Sequence, residues 1–113
     1  MYKFPREERL KKDELRRVIF EGGKTVRGCL RLYTMRAEYG GRKAAFIVRG
    51  CRGSAVERNR LKRLLREAYR LNRGGLKDDM LLVLILEKPD FRMEFSHLEK
   101  EFTAICRQAG ITV

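Results

Sequence analysis

Apolar residues recur along the chain in two rhythms, and the changes of rhythm mark its elements. Leu15, Val18 and Ile19 share one side of a short helix that Asp13 would cap and Gly22-Gly23 would stop, with Phe20 near its end. From Thr25 to Ala37 the period is two. Leu30 and Leu32 point one way and Arg31, Tyr33 and Met35 the other, and Gly40-Gly41 then turns the chain into Lys43 to Val48 as a hairpin. Ser54 with Glu57 three residues later is a capping box, and a helical pattern runs from there to about Asn72, before Gly74-Gly75. Met80 to Leu86 is apolar without alternation, the pattern of a strand buried on both faces, and Pro89 ends it. Ser96 with Glu99 repeats the capping signature ahead of Leu98, Phe102, Ile105 and Ala109, one stripe of a last helix. The predicted order is α-β-β-β-α-β-α, an α/β (α+β) sandwich of three helices on a small mixed sheet.

No repeat, proline-rich linker or low-complexity tract interrupts the 113 residues, so they read as a single domain, 1–113, with a basic N-terminal arm over 1–12. Hydrophobic residues at 43% supply a core and separate the chain from disordered tails. Its longest apolar run falls short of the ~20 residues that cross a bilayer, and its first residues are too charged for a secretory signal, so a cytoplasmic protein is expected. Cys29, Cys51 and Cys106 are odd in number and lack C-x-x-C spacing, which argues against disulfides and structural zinc. Cys29, read as a strand residue, and Cys106, on the apolar face of the last helix, are expected to pack.

Charge changes the picture. The formal net charge is +12, and the excess lies in residues 1–73, with 22 basic side chains against 8 acidic, whereas residues 74–113 hold 5 against 7. A field of this kind suits a polyanion, because each phosphate neutralised by Lys or Arg releases condensed counterions. A membrane surface would need Phe or Trp on the face opposite those charges, and the basic helix has neither there. At 100° per residue, Leu61, Leu64, Leu65, Ala68 and Leu71 gather in an arc of about 120° that faces the core. Arg58, Lys62, Arg63, Arg66, Arg70 and Arg73 fill a separate arc of about 140°, with Asn59 near its middle and Arg60 just beyond its edge. Solvated helix faces usually mix Glu with Lys, but here only Glu57 and Glu67 interrupt the run. Arginine's planar fork takes two phosphate oxygens or stacks on a base, and Asn59 adds a neutral donor and acceptor. The helix start at Ser54 presents free backbone N–H groups beside the same stripe.

The stretch from Ser54 to Arg70, SAVERNRLKRLLREAYR, resembles the arginine-asparagine-arginine helix of the bacterial ribonuclease P protein family. The likeness extends through Arg9-Leu10-Lys11-Lys12, Phe20, Lys24 to Gly28, Leu32-Tyr33 and the late strand before Lys88-Pro89. It implies the protein subunit of a ribonucleoprotein whose RNA, with Mg²⁺, removes the 5′ leader of precursor tRNA. The catalytic site would lie in the RNA, with no catalytic residue, protein-held metal or nucleotide cofactor in the chain. By the same resemblance Arg58, Asn59, Arg60, Lys62, Arg63 and Arg66 face the ribonuclease P RNA, Phe20 and Tyr33 line a cleft for the leader, and the fold has a left-handed crossover around the long helix; Arg70 joins the first set from the stripe and Arg31 the second from its strand face. Where the family commonly has an aromatic residue one turn before Phe20, this chain has Arg16, and where the family has a serine and two lysines after the third strand it has Arg49-Gly50-Cys51. Arg49 and Arg52 are expected to replace that charge, unless Gly50 is there for its backbone.

Other functions fit less well. A protein nuclease needs a base, a nucleophile or a metal cage, but the one histidine, His97, sits at a helix cap, and Asp78-Asp79 and Glu99 with Glu101 lack metal-site spacing. No G-x-G-x-x-G or Walker loop is present, and neither is a helix-turn-helix for duplex DNA. A ribosomal-type or RNA-chaperone protein without a processing role is the alternative. By residue pattern alone Tyr33 is a cross-strand packing residue and Phe20 a core residue; the resemblance, with Arg31 on the same strand face as Tyr33, places both in the cleft instead.

Overall fold

The computed structural model describes residues 8–38 and 41–113. Their elements run α1 (Lys12–Glu21), β1 (Gly23–Arg27), β2 (Leu30–Arg36), β3 (Lys43–Arg49), α2 (Ala55–Asn72), β4 (Met80–Glu87) and α3 (Phe95–Gln108), the predicted order. Residues 1–7 of the predicted arm and Gly40 of the predicted turn lie outside the described residues. From Glu8 onward the segment is no free arm. Arg9 bridges Ala44 in parallel and the Leu10 N–H donates to the Ala44 carbonyl at 3.3 Å, which covers the outer edge of β3.

The strands form one sheet in the order β1-β2-β4-β3, with β4 antiparallel to β2 and parallel to β3. This corrects the hairpin predicted across Gly40-Gly41: β2 and β3 are not neighbours, because β4 lies between them. The physical reason is the apolar run itself. Leu81 to Leu86 are all buried, and a strand apolar on both faces gains most at the centre of a sheet and would be a liability at its edge. The hairpin that does form joins β1 to β2 through Gly28-Cys29, so Cys29 belongs to a turn rather than to a strand.

Pairing register sorts the strand residues onto two faces. Leu30, Leu32, Ala44, Val48, Leu82, Leu84 and Leu86 face α2 and α3 and make the larger core. Tyr33, Met35, Ile47, Leu81, Val83 and Ile85 face α1, which packs Leu15, Val18 and Ile19 against them. At the end of α1 the chain presses close to β2: a Cβ on Gly22 would lie 2.4 Å from the Val18 carbonyl oxygen and 2.6 Å from that of Thr34. Only glycine fits there.

Helix ends depart from the reading of the sequence in two places. Helix α1 has Lys11, not Asp13, at its cap position, because the Glu14 carboxylate accepts the Lys11 N–H at 3.1 Å. Helix α3 is capped at Glu94 and has Ser96 inside it; Phe95 packs on the core in helical spacing with the buried Leu98, so the helix must begin ahead of both. Helix α2 keeps its predicted cap, with Ser54 Oγ accepting the Glu57 N–H at 3.2 Å and Glu57 accepting the Ser54 N–H at 3.1 Å. Its buried side is Leu61, Leu65, Ala68 and Tyr69, while Leu71 is 52% exposed. The core-facing arc is thus turned by about 50° toward the cationic side, because the Tyr69 ring packs against Phe46 while its hydroxyl finds polar partners.

Candidate nucleic-acid interface

Helix α2 presents its cations in two groups. Arg58, Asn59, Arg63 and Arg66 are exposed and Lys62 half-buried, and none of these charged side chains has an ion-pair partner among the described residues. Ser54 caps the helix beside them, which leaves the positive end of the helix dipole on the same surface. The second group is paired. Arg70 is held by the Glu67 carboxylate three residues before it, and Arg73, in the short turn after α2, pairs with Glu8 at 2.6 Å. The hydrogen bond from Arg70 holds the Glu67 carboxyl below the usual carboxylate range.

Arg60 stands apart from both groups. Its guanidinium donates to the carbonyls of Phe91 and Met93, each at 3.1 Å, so it ties the β4–α3 turn to α2. Of the two arginines near Gly50, Arg49 is paired with Glu87 on the neighbouring strand, whereas Arg52 is exposed without an ion-pair partner among the described residues. Gly50 has φ +69°, and a Cβ there would lie 2.7 Å from Lys88 Cγ. The backbone account of this glycine therefore has direct geometric support, and charge relocation is left with Arg52.

On the other face of the sheet, Phe20 is 84% exposed, at the end of α1 rather than in the core. Tyr33 is half-buried beside the α1 cluster and carries the Lys24 ammonium 5.7 Å from its ring centroid. Arg31 shares that strand face but folds back, donating to the carbonyls of Gly28 at 2.6 Å and Leu30 at 3.2 Å. Arg16, four residues before Phe20, is exposed on the same helix. The geometry thus brings Tyr33 and Lys24 together and fixes Arg31 on the turn. Lys24 was not among the predicted site residues, because its place opposite Tyr33 follows from the β1–β2 register.

Two further features were not legible. Glu8 is buried at 8% exposure, where it accepts the Tyr69 hydroxyl at 3.1 Å; Tyr69 in turn accepts from Arg42 Nε at 3.1 Å. Burial pushes the Tyr69 phenol up, so it stays protonated as a donor. Two of the three thiols are disfavoured as thiolates. Burial pushes Cys29 up, and Cys106 is pushed up to about 12. Among the described residues no group of three or more His, Cys, Asp and Glu gathers to hold a metal ion, and no helix is long and apolar enough to cross a membrane.

Comparison with known proteins identifies the family. The family described as Ribonuclease P matches residues 4–110. The chain is 34% identical to the ribonuclease P protein component of Dictyoglomus turgidum, over 98% of this chain and 96% of that protein, and 33% identical to that of Syntrophomonas wolfei, over 84% and 81%. The fold superposes on the Staphylococcus aureus RNase P protein with a TM-score of 0.84 at 18% identity, covering 94% of this chain and 98% of that one. The Thermotoga maritima RNase P protein gives 0.77 at 22% identity, over 89% and 96%. With the family matched across nearly its whole length, the chain belongs to the ribonuclease P protein family.

Proposed function

We propose that this chain is the protein subunit of ribonuclease P, binding the catalytic RNA through the exposed side of α2 and the 5′ leader of precursor tRNA between α1 and the sheet. One observation carries the first part: in a chain of this family, Arg58, Lys62, Arg63 and Arg66 share one face of α2 with Asn59 and have no ion-pair partner among the described residues. Cations without internal carboxylate partners keep their full attraction for phosphate. The leader reading rests on Phe20, its ring exposed at the end of α1, and on Tyr33, half-buried with the Lys24 ammonium over its ring, a combination that suits single-stranded bases.

The chain's part in the reaction is to bind and orient. Mg²⁺ is held by the RNA and the substrate phosphates in this reading, while several of the chain's carboxylates are engaged with its own cations, among them Glu14 with Lys43, Glu101 with Arg27 and Asp79 with Arg36. The protein works in the cytoplasm, where its RNA partner and precursor tRNA are found together. The test is reconstitution with a bacterial ribonuclease P RNA at low Mg²⁺. Restored 5′ processing of precursor tRNA is expected, with no cleavage by the protein alone. Tight binding of the RNA without processing would instead make the chain a plain RNA-binding module.

A further inference from the structure

The turn between β4 and α3 carries an exposed aromatic ring that the core does not use. Phe91 is 40% exposed, and the Arg92 guanidinium lies 5.7 Å from its ring centroid with 77% of the side chain open to solvent. The turn is held from several sides. Met93 N–H donates to the Asp90 carbonyl at 3.0 Å, and the Asp90 carboxylate accepts Arg92 N–H at 2.9 Å and Arg92 Nε at 3.3 Å. Pro89, just ahead of it in the chain, is buried. From α2, Arg60 grips the two carbonyls on either side of Arg92, those of Phe91 and Met93. Down the axis of α2, Arg60 lies about 60° beyond Arg63, the edge of the cationic stripe, with Val56, 74% exposed, between them. The turn therefore continues the surface that α2 presents.

We propose that Phe91 and Arg92 form a second RNA-binding element, a stacking platform for one unpaired nucleobase of the RNA bound by α2, with Arg60 as its positioning residue. This rests on the reading of α2 as an RNA-binding face. Guanidinium planes and aromatic rings both take the π face of a base. Here the ring backs the guanidinium and Asp90 fixes its direction, so the layer is ordered before the base arrives. Asp90 also selects the ligand. It cancels the charge of Arg92, so a lone phosphate or an acidic peptide finds little net attraction, whereas stacking needs none.

The test is equilibrium binding of the full chain to a bacterial ribonuclease P RNA over a range of salt, with Arg58→Ala as the reference for α2. Phe91→Leu is expected to bind roughly 5- to 150-fold more weakly with the wild-type salt slope, because stacking releases no counterions. Arg60→Lys loses one of the two carbonyl contacts and should weaken binding likewise, and the double variant Arg60→Lys with Phe91→Leu should be little worse than either alone. Additive losses would make Arg60 an independent contact and overturn its positioning role. If Phe91→Leu lowers the melting temperature, Arg92→Ala decides, since its side chain is outside the core. Wild-type affinity in Arg92→Ala, with Arg58→Ala weakened, overturns the platform alone. Wild-type affinity in Arg58→Ala overturns the α2 reading, and the platform with it.

Discussion

Helix α2 carries arginine from end to end, but its two ends use it in opposite ways. Toward the start, Arg58, Lys62, Arg63 and Arg66 have no carboxylate partner among the described residues. Toward the end, Arg70 meets Glu67, Arg73 meets Glu8, and Tyr69 links Glu8 to Arg42. The residue types are nearly the same, so what separates the ends is the local supply of acceptors. Glu8, brought in beside the edge of β3, and Arg42, at the start of the same strand, turn the last part of the helix into structure. Among the described residues no carboxylate reaches the first part, where Arg58, Lys62, Arg63 and Arg66 are left for an external anion. A basic side chain is available for binding only where the fold has not already answered its charge.

The strongest way to break this contrast is to attack the tied end. Tyr69 is fully buried, packs on Phe46 and bridges Glu8 to Arg42 through its hydroxyl. Tyr69→Ala should destabilise the fold by about 3 to 5 kcal/mol, the range for losing a buried aromatic. Urea unfolding measures the loss. Where the variant is still folded, the salt slope of RNA binding should match wild type; a cost below about 1 kcal/mol would mean the tied end is not structural.

The loop that feeds the free end is set by its backbone. Gly50→Ala places a Cβ at φ +69° against Lys88 and should cost about 1 to 3 kcal/mol of stability. Arg49→Ala with Arg52→Ala tests the same loop by charge. Since Glu87 already answers Arg49, the double variant should lower the magnitude of the log-affinity against log-salt slope by about 0.7 to 0.9, one phosphate contact and not two. A fall twice that size would put Arg49 on the RNA as well.

Legibility in the sequence follows the same division. Helix α2 was readable because its signals are local: Ser54 and Glu57 cap each other, and the leucine period marks the core side. The strand order was not, since nothing near Gly40-Gly41 announces that a strand from residues 80–87 will be inserted between β2 and β3. Among the predicted RNA contacts, the available charge of Arg58, Lys62, Arg63 and Arg66 was readable from residue type. The use of Arg60 was not, because its acceptors are backbone carbonyls 31 and 33 residues away. The pairing of Arg70 stood in plain view as Glu67 three residues earlier, a helical neighbour that the run of arginines obscured.

On the free stripe itself, Arg58→Ala and Arg66→Ala should each lower the salt-slope magnitude by about 0.7 to 0.9, whereas Arg73→Ala should leave the slope alone and lower the melting temperature by removing the cation paired with buried Glu8. Equal slopes for Arg58→Ala and Arg73→Ala would erase the distinction between the two ends.

The smallest effect sharpens the boundary between them. Glu67 and Arg70 face solvent on α2, so the pair adds little to stability but still decides whether the Arg70 charge is available. Glu67→Gln removes the carboxylate and keeps the shape, which loosens the hold on Arg70 and should raise the salt-slope magnitude by less than one full contact of about 0.7 to 0.9. Acid should not imitate the substitution under mild conditions. The Arg70 hydrogen bond holds the Glu67 carboxyl below its ordinary value, so the pair is intact above that value and is lost only as pH falls through the lowered one. At pH 5 the wild-type slope should therefore still differ from that of Glu67→Gln. Identical slopes for the two proteins at neutral pH would show that Arg70 exchanges Glu67 for phosphate freely, and that the boundary of the binding face lies one turn further along the helix.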